Sequence, residues 1–395
     1  MSHFSLLVIT DQKPTEQTLE KALMPFHEFE CTGLDNEYVQ NIDRTEEARE
    51  EFQNSERRRY KDPQGELHDP CEDRFYRDPT EDEIKEVAPI GTGFGKGLSW
   101  TSKDWGDGKG YRAKINFLPE GWEEVSVSTS EVESFAEWVS GYYGGPIIKP
   151  GDIVDPKAND ELKWGWVKVD EKGQVLEVID RTNPNQKWDW WVVGGRWSGF
   201  LTPKAEVDTL PQDSPNAPKK GRPGLLGSEA NPAGVDMIRK GDVDFDAMRA
   251  AARSEASERW QKIRAITGDL SDFVTWDQMR ERHPGNIETA RKAYHEQAAK
   301  RALAEAAKKD GSRDLIWISL DEFAVSHDRY VESKANSATV AFAALKDGQW
   351  VERGEMGWWG CVSDEKDKDV WNRDFNAMLD ALPDDSWLTV VDCHI

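Results

Sequence analysis

The sequence predicts an α+β fold: a mixed or antiparallel sheet with helices on one face and an inserted α-helical module. Three observations carry this. Apolar, strand-like runs stand near both ends of the chain, at His3–Thr10 and Trp387–Val391. Two hairpin signals lie between them, one centred on Glu171-Lys172-Gly173 and one on Lys346-Asp347-Gly348. A long Ala-rich, charge-interleaved stretch separates the two hairpins and has the pattern of packed helices.

The first strand places Phe4, Leu6, Leu7, Val8 and Ile9 ahead of a turn at Asp11–Pro14, and Glu16–Met24 can follow as a short helix. Pro25–Gly33 reads as extended chain, which puts His27, Phe29 and Cys31 on one side and Glu28 and Glu30 on the other. Glu46–Tyr60 is a charged surface helix. From Lys61 to Glu124 the chain is loop-rich. Its Gly91–Gly97 run resembles a phosphate loop only loosely, since it lacks both the Walker spacing and a strand-to-helix context. Ser130 and Glu133 are spaced as a capping box for a helix over Glu131–Tyr143, stopped at Gly144. Trp164–Val169 and Val175–Ile179 are the arms of the first hairpin.

Residues 202–235 are rich in Pro and Gly and read as a linker. The composition then changes. Residues 239–310 hold 15 basic against 13 acidic side chains, and Phe245–Ile266 and Asn286–Lys309 are predicted helices. Strands at Ala338–Leu345 and Gln349–Arg353 flank Asp347-Gly348, an amphipathic helix spans Asp369–Leu382, and Pro383 ends it. The resulting division is 1–201 and 313–395 for the two parts of the core, 202–235 for the linker and 236–312 for the helical insertion.

Composition narrows the function classes. The chain has 395 residues, a formal net charge of −24 and 18 Trp. A mean hydropathy of −0.76 is polar, yet so many aromatics argue for a packed core rather than disorder. The acidity sets the chain against free duplex nucleic acid and anionic membranes, although a local basic groove is compatible with it. Four Cys in so long a chain fit a reducing compartment. The N-terminal residues lack a basic region followed by a cleavage site, and no apolar run approaches the roughly 20 residues of a membrane span, so a cytoplasmic location is expected.

Asn183–Gly199 concentrates Trp188, Asp189, Trp190, Trp191, Gly194, Gly195, Arg196 and Trp197, and Gly354–Cys361 adds Trp358 and Trp359. As a ligand-binding set, the indoles stack a flat group, Arg196 clamps an anion, and the glycines allow close backbone approach. As a core, the same residues pair Arg196 with Asp189 and fold the rings inward. His27, Glu28 and Cys31 are the candidate catalytic set. His27, Glu28, Glu30 and Cys31, His68 with Cys71, and Cys393 with His394 are the possible metal ligands, but no repeated Cys-x-x-Cys spacing specifies a metal site and no cofactor is specified.

The Met1-Ser2-His3-Phe4 start, the His27–Gly33 segment, the Asn183–Gly199 run and Gly354–Gly360 leading to Val390–Ile395 resemble a group of phage- and prophage-encoded proteins. The resemblance covers the ends and the middle of the chain. It implies expression in the cytoplasm of a host bacterium and carries over no activity. The leading expectation is therefore a phage accessory protein that binds a small, nucleotide-like ligand or a host protein through its Trp/Gly/Arg-rich surface. Two alternatives stand beside it: an enzyme acting on a nucleotide or a protein side chain in the same pocket, and an acidic nucleic-acid mimic that blocks a host defence enzyme.

Overall fold

The computed structural model describes residues 2–77, 98–100, 113–222, 231–311, 315, 318–357 and 360–395. The chain divides into two compact units, Met1–Thr32 with Asn185–Ile395, and Gly33–Pro184. The Gly91–Gly97 run and Trp358-Trp359 lie outside the described residues.

The α+β expectation holds, and the sheet of the first unit is mixed. His3–Thr10 pairs antiparallel with Trp387–His394 along its whole length, from His3 opposite His394 to Thr10 opposite Trp387. On its other edge it pairs parallel with Ala343–Lys346. That strand turns back into Gln349–Glu352 through Asp347 and Gly348, both at positive φ (51° and 72°), as the Asp-Gly signal requires. The free edge of Trp387–His394 is shared by two strands: Trp190–Val193 pairs with its last residues, and Val235–Arg239 pairs with its first.

Apolar residues at consecutive positions explain why both faces are covered. Phe4, Leu6 and Val8 pack with Leu19 and Leu23 of the helix Glu16–Leu23. Leu7 and Ile9 pack on the opposite face with Trp371, Phe375 and Leu379 of the helix Lys368–Ala381. A strand without alternation has no side to give to water, so helices lie on both faces rather than on one.

The helical region keeps a core of its own. The helix Phe245–Thr267 starts on the sheet with Met248, then runs on to pack Ala256 and Ile263 against Leu303, Ala307, Phe323 and Tyr330. The expected single helix over Asn286–Lys309 is two, Ile287–His295 and Ala298–Asp310. Gln297 sits at the break, and its side-chain amide bonds both the N–H and the C=O of Val274, at 2.8 and 2.9 Å. The boundaries at 236 and 312 do not separate this region: Val235–Arg239 is a sheet strand, and Tyr330 of the helix His327–Ser337 belongs to the helical core. Nor is 202–222 a free linker, since it contains a helical turn at Ala205–Asp208, a strand at Lys219–Lys220 and the buried Val207 and Ala217.

In the second unit, Gln40–Asp43, Val175–Thr182, Gly165–Val169 and Ile147–Ile148 form a separate four-stranded sheet. The first predicted hairpin is real, but it does not join the sheet that holds the terminal strands. The predicted surface helix ends at Asn54, and Glu56–Lys61 is a strand. The capping box falls one turn later than expected, at Ser134 and Glu137, and opens the helix Phe135–Tyr143 with Gly144 as its left-handed stop.

Candidate functional site

Asn183–Gly199 is organised by backbone pairing before its side chains matter. Trp188 bridges in parallel to His27, and its carbonyl accepts the Glu28 N–H at 2.6 Å. One residue on, the Asp189 N–H donates to the His394 carbonyl at 3.0 Å. The segment therefore threads between 26–28 and the end of the C-terminal strand, and brings three sequence-distant motifs to one corner. His27, Glu28, Cys31, Asp189 and His394 meet there.

The corner differs from the extended reading of Pro25–Gly33. Phe29–Thr32 is a helical turn with Phe29 fully buried, so Glu28 and Cys31, three apart, lie on one side. Thr32 Oγ1 lies 3.0 Å from His27 Nε2. Asp189 Oδ1 lies 2.6 Å from His394 Nδ1. Burial lowers the His27 pKa against the pull of Asp189, and burial raises that of Glu28. Burial of the sulfur, followed by the Glu28 carboxylate, pushes the Cys31 thiol up to about 11, although the residue as a whole is exposed. That is the wrong direction for a thiolate nucleophile, which needs a depressed pKa.

The paired glycines have a specific reason. Both Gly194 and Gly195 have positive φ, and each backs onto a buried carboxylate: a Cβ on Gly194 would sit 2.5 Å from Asp236 Oδ2, and one on Gly195 would collide with the Asp392 side chain. Asp392 accepts the Arg196 N–H at 2.9 Å, while Asp236 accepts the Gly199 N–H at 2.6 Å and the Ser198 hydroxyl at 3.0 Å. Burial raises the Asp236 pKa against these bonds. The close approach foreseen for the glycines is thus made by acids of the protein itself.

The four described indoles of the run, Trp188, Trp190, Trp191 and Trp197, do not form a cage. Trp188 is core, with its ring N–H donating to the Leu23 carbonyl at 3.1 Å. Trp190 and Trp191, adjacent on a strand, face opposite ways: Trp190 is exposed and stacks on His394, with ring centroids 5.0 Å apart, while Trp191 lines a cleft. Trp197 packs against the core on the face of Leu7. Arg196 is exposed and Asp189 bonds His394, so the expected buried Arg196–Asp189 pair is not formed.

The cleft beside Trp191 has a volume of about 560 Å³, within the range of small-ligand sites. Lys13, Lys219 and Arg222 stand around it with Glu16 as the one acid among its described lining residues. Lys13 Nζ donates to the Ala217 carbonyl at 2.8 Å and sits 5.2 Å from the centroid of the Trp387 ring. Burial, with Arg222 next, lowers the Lys219 pKa. This is a basic cleft on a strongly acidic chain.

No protein-family model, curated protein or solved structure matches the chain. The site is therefore read from its own geometry. Lys13, Lys219 and Arg222 were missed by sequence reasoning because they fell in a turn and in a supposed linker. The signal was there in Pro218-Lys219-Lys220-Gly221-Arg222, a cation run in a chain of net charge −24.

Proposed function

We propose that the first unit binds a small anionic ligand carrying a flat ring, with nucleotides the leading class, in the cleft between Trp191 and the Lys13, Lys219 and Arg222 cations. One observation carries this reading: three cationic side chains and a partly buried indole converge on a 560 Å³ cleft while the chain as a whole repels anions. An ammonium held partly out of water, as Lys219 is, recovers its lost solvation when an anion binds. An indole wall adds stacking that inorganic anions cannot use. The setting, an accessory protein made in a phage-infected bacterial cytoplasm, rests on the resemblance alone. No helix among the described residues is long and apolar enough to cross a membrane.

Calorimetric titration with ATP, GTP, deoxynucleoside monophosphates and inorganic phosphate tests the proposal. Saturable binding of at least one nucleotide is expected, weakened about tenfold or more in Lys219→Met through loss of a charge-assisted contact, and weakened in Trp191→Leu for nucleotides but not for phosphate. Absence of binding across the panel, or wild-type affinity in a Lys219→Met/Arg222→Met double variant, would overturn it. Conversion of the bound nucleotide during the titration would move the reading to an enzyme.

A further inference from the structure

The geometry points to a divalent transition-metal site formed by the Glu28 carboxylate, the Cys31 sulfur and the Asp189 carboxylate, with Zn²⁺ as the ion whose chemistry fits. It stands apart from the cleft and does not depend on it.

One ligand atom from each of the three residues lies within 4.8 Å of the other two. Acidic groups cluster without metals on many surfaces, so a second observation is needed. Glu28 supplies it. The residue is 7% exposed, and its Oε2 is buried with no hydrogen-bond partner. The Cys31 thiol hydrogen-bonds this carboxylate and is itself a ligand of the proposed site, so a bound metal replaces that contact. A buried carboxylate oxygen without a donor costs free energy that a bound cation recovers. Asp189 is held in place from two sides, because His394 Nδ1 lies 2.6 Å from its Oδ1 and the His394 carbonyl takes its backbone N–H. This is the kind of outer support that fixes ligating carboxylates.

The donor set selects the ion. Two carboxylate oxygens with one sulfur suit Zn²⁺ or Co²⁺, whereas Mg²⁺ and Ca²⁺ take oxygen alone. Three protein ligands leave a fourth, solvent-facing position, consistent with the exposure of Cys31. A second cluster, Asp62, Glu66 and His68 in the other unit, has similar spacing, but its central carboxylate is already satisfied. Asp62 Oδ1 accepts the Gln64 and Glu66 N–H groups at 2.9 and 2.8 Å, and its Oδ2 lies 3.3 Å from His68 Nε2.

The test uses the full chain, reduced and stripped with a chelator, then titrated with Co²⁺ and followed by absorption. The expected result is a saturating near-ultraviolet sulfur-to-Co²⁺ charge-transfer band that Zn²⁺ abolishes by displacement. The band is lost in Cys31→Ser and retained in a Cys71→Ser/Cys361→Ser double variant. Glu28→Gln weakens Co²⁺ binding by more than about tenfold. Because Glu28 is buried, Cys31→Ser at an exposed position is the deciding variant, and metal-free circular dichroism confirms that each variant is folded. No charge-transfer band at millimolar Co²⁺ in the wild type, or an undiminished band in folded Cys31→Ser, would overturn the site.

Discussion

His3 and Asp392 tie the first strand of the sheet to the last, with Nδ1 of His3 2.8 Å from Oδ1 of Asp392 and both side chains largely buried. The other oxygen of the same carboxylate accepts the Arg196 N–H. One buried acid therefore satisfies a neighbouring strand and the Gly-Gly loop together. Asp392→Ala leaves both donors without an acceptor and is expected to cost about 1–3 kcal/mol in urea denaturation. A midpoint equal to the wild type's would show that the carboxylate is not a structural partner of either.

Gly195 and Gly348 both adopt positive φ, at 51° and 72°, but only Gly195 has a side chain against its missing Cβ. Gly348→Ala should cost about 1–2 kcal/mol of backbone strain alone. Gly195→Ala adds a collision with the Asp392 side chain, so its melting temperature should fall clearly below that of Gly348→Ala. Equal losses would mean that the loop can move away from Asp392.

Arg196→Lys is expected to leave stability within about 0.5 kcal/mol of the wild type, because the side chain is exposed and the loop is held by the backbone N–H. Ligand affinity of the cleft should also be unchanged, since Arg196 does not line it. A loss of stability of several kcal/mol would restore the buried-pair reading.

Asp236 titrates with its folded pKa raised by burial, so the folded state holds this proton more tightly than the unfolded chain does. Its contribution therefore makes stability fall as pH rises through a window that opens at the ordinary carboxylate value of about 4 and closes at the raised folded value. Above that window the penalty is complete. Asp236→Asn should flatten this part of the stability profile measured by denaturation at successive pH values. A parallel profile for the variant would assign the slope to other groups.

Excising Gly234–Asp310 with a short Gly/Ser bridge would remove the helices together with the strand Val235–Arg239, which pairs with the first half of the C-terminal strand. The product is expected to lose cooperative melting. A folded, cooperatively melting remnant would show that the sheet closes without that strand.

Much of the fold could be read from single segments. The Phe4–Ile9 run, the Asp347-Gly348 turn and the apolar stripe of Lys368–Ala381 each announce their structure through local chemistry. Beyond the one sheet shared by the two terminal strands, sequence did not show which segments meet. Nothing within Pro25–Gly33 indicates that Asp189 and His394 will complete its polar corner, because backbone pairing at Trp188 decides it. Nor could the purpose of Gly194-Gly195 be seen without Asp236 and Asp392, which lie far along the chain. In the Trp-rich run, strand alternation sends Trp190 and Trp191 to opposite faces, so density in sequence is not proximity in space.

The pairing of His3–Thr10 with Trp387–His394 also constrains how the protein is made. The groups joined by the His3–Asp392 contact are 389 positions apart, so the first strand leaves the ribosome long before its antiparallel neighbour exists. At about 5–20 residues per second, that wait is about 20–80 s. During it, Phe4, Leu6, Leu7, Val8 and Ile9 form an unpaired apolar segment, a hazard for aggregation that chaperone binding would relieve. Gly33–Pro184, contiguous and with clusters of its own, can fold within that interval. Translation order thus separates an early-folding unit from one that closes only when its last strand is delivered.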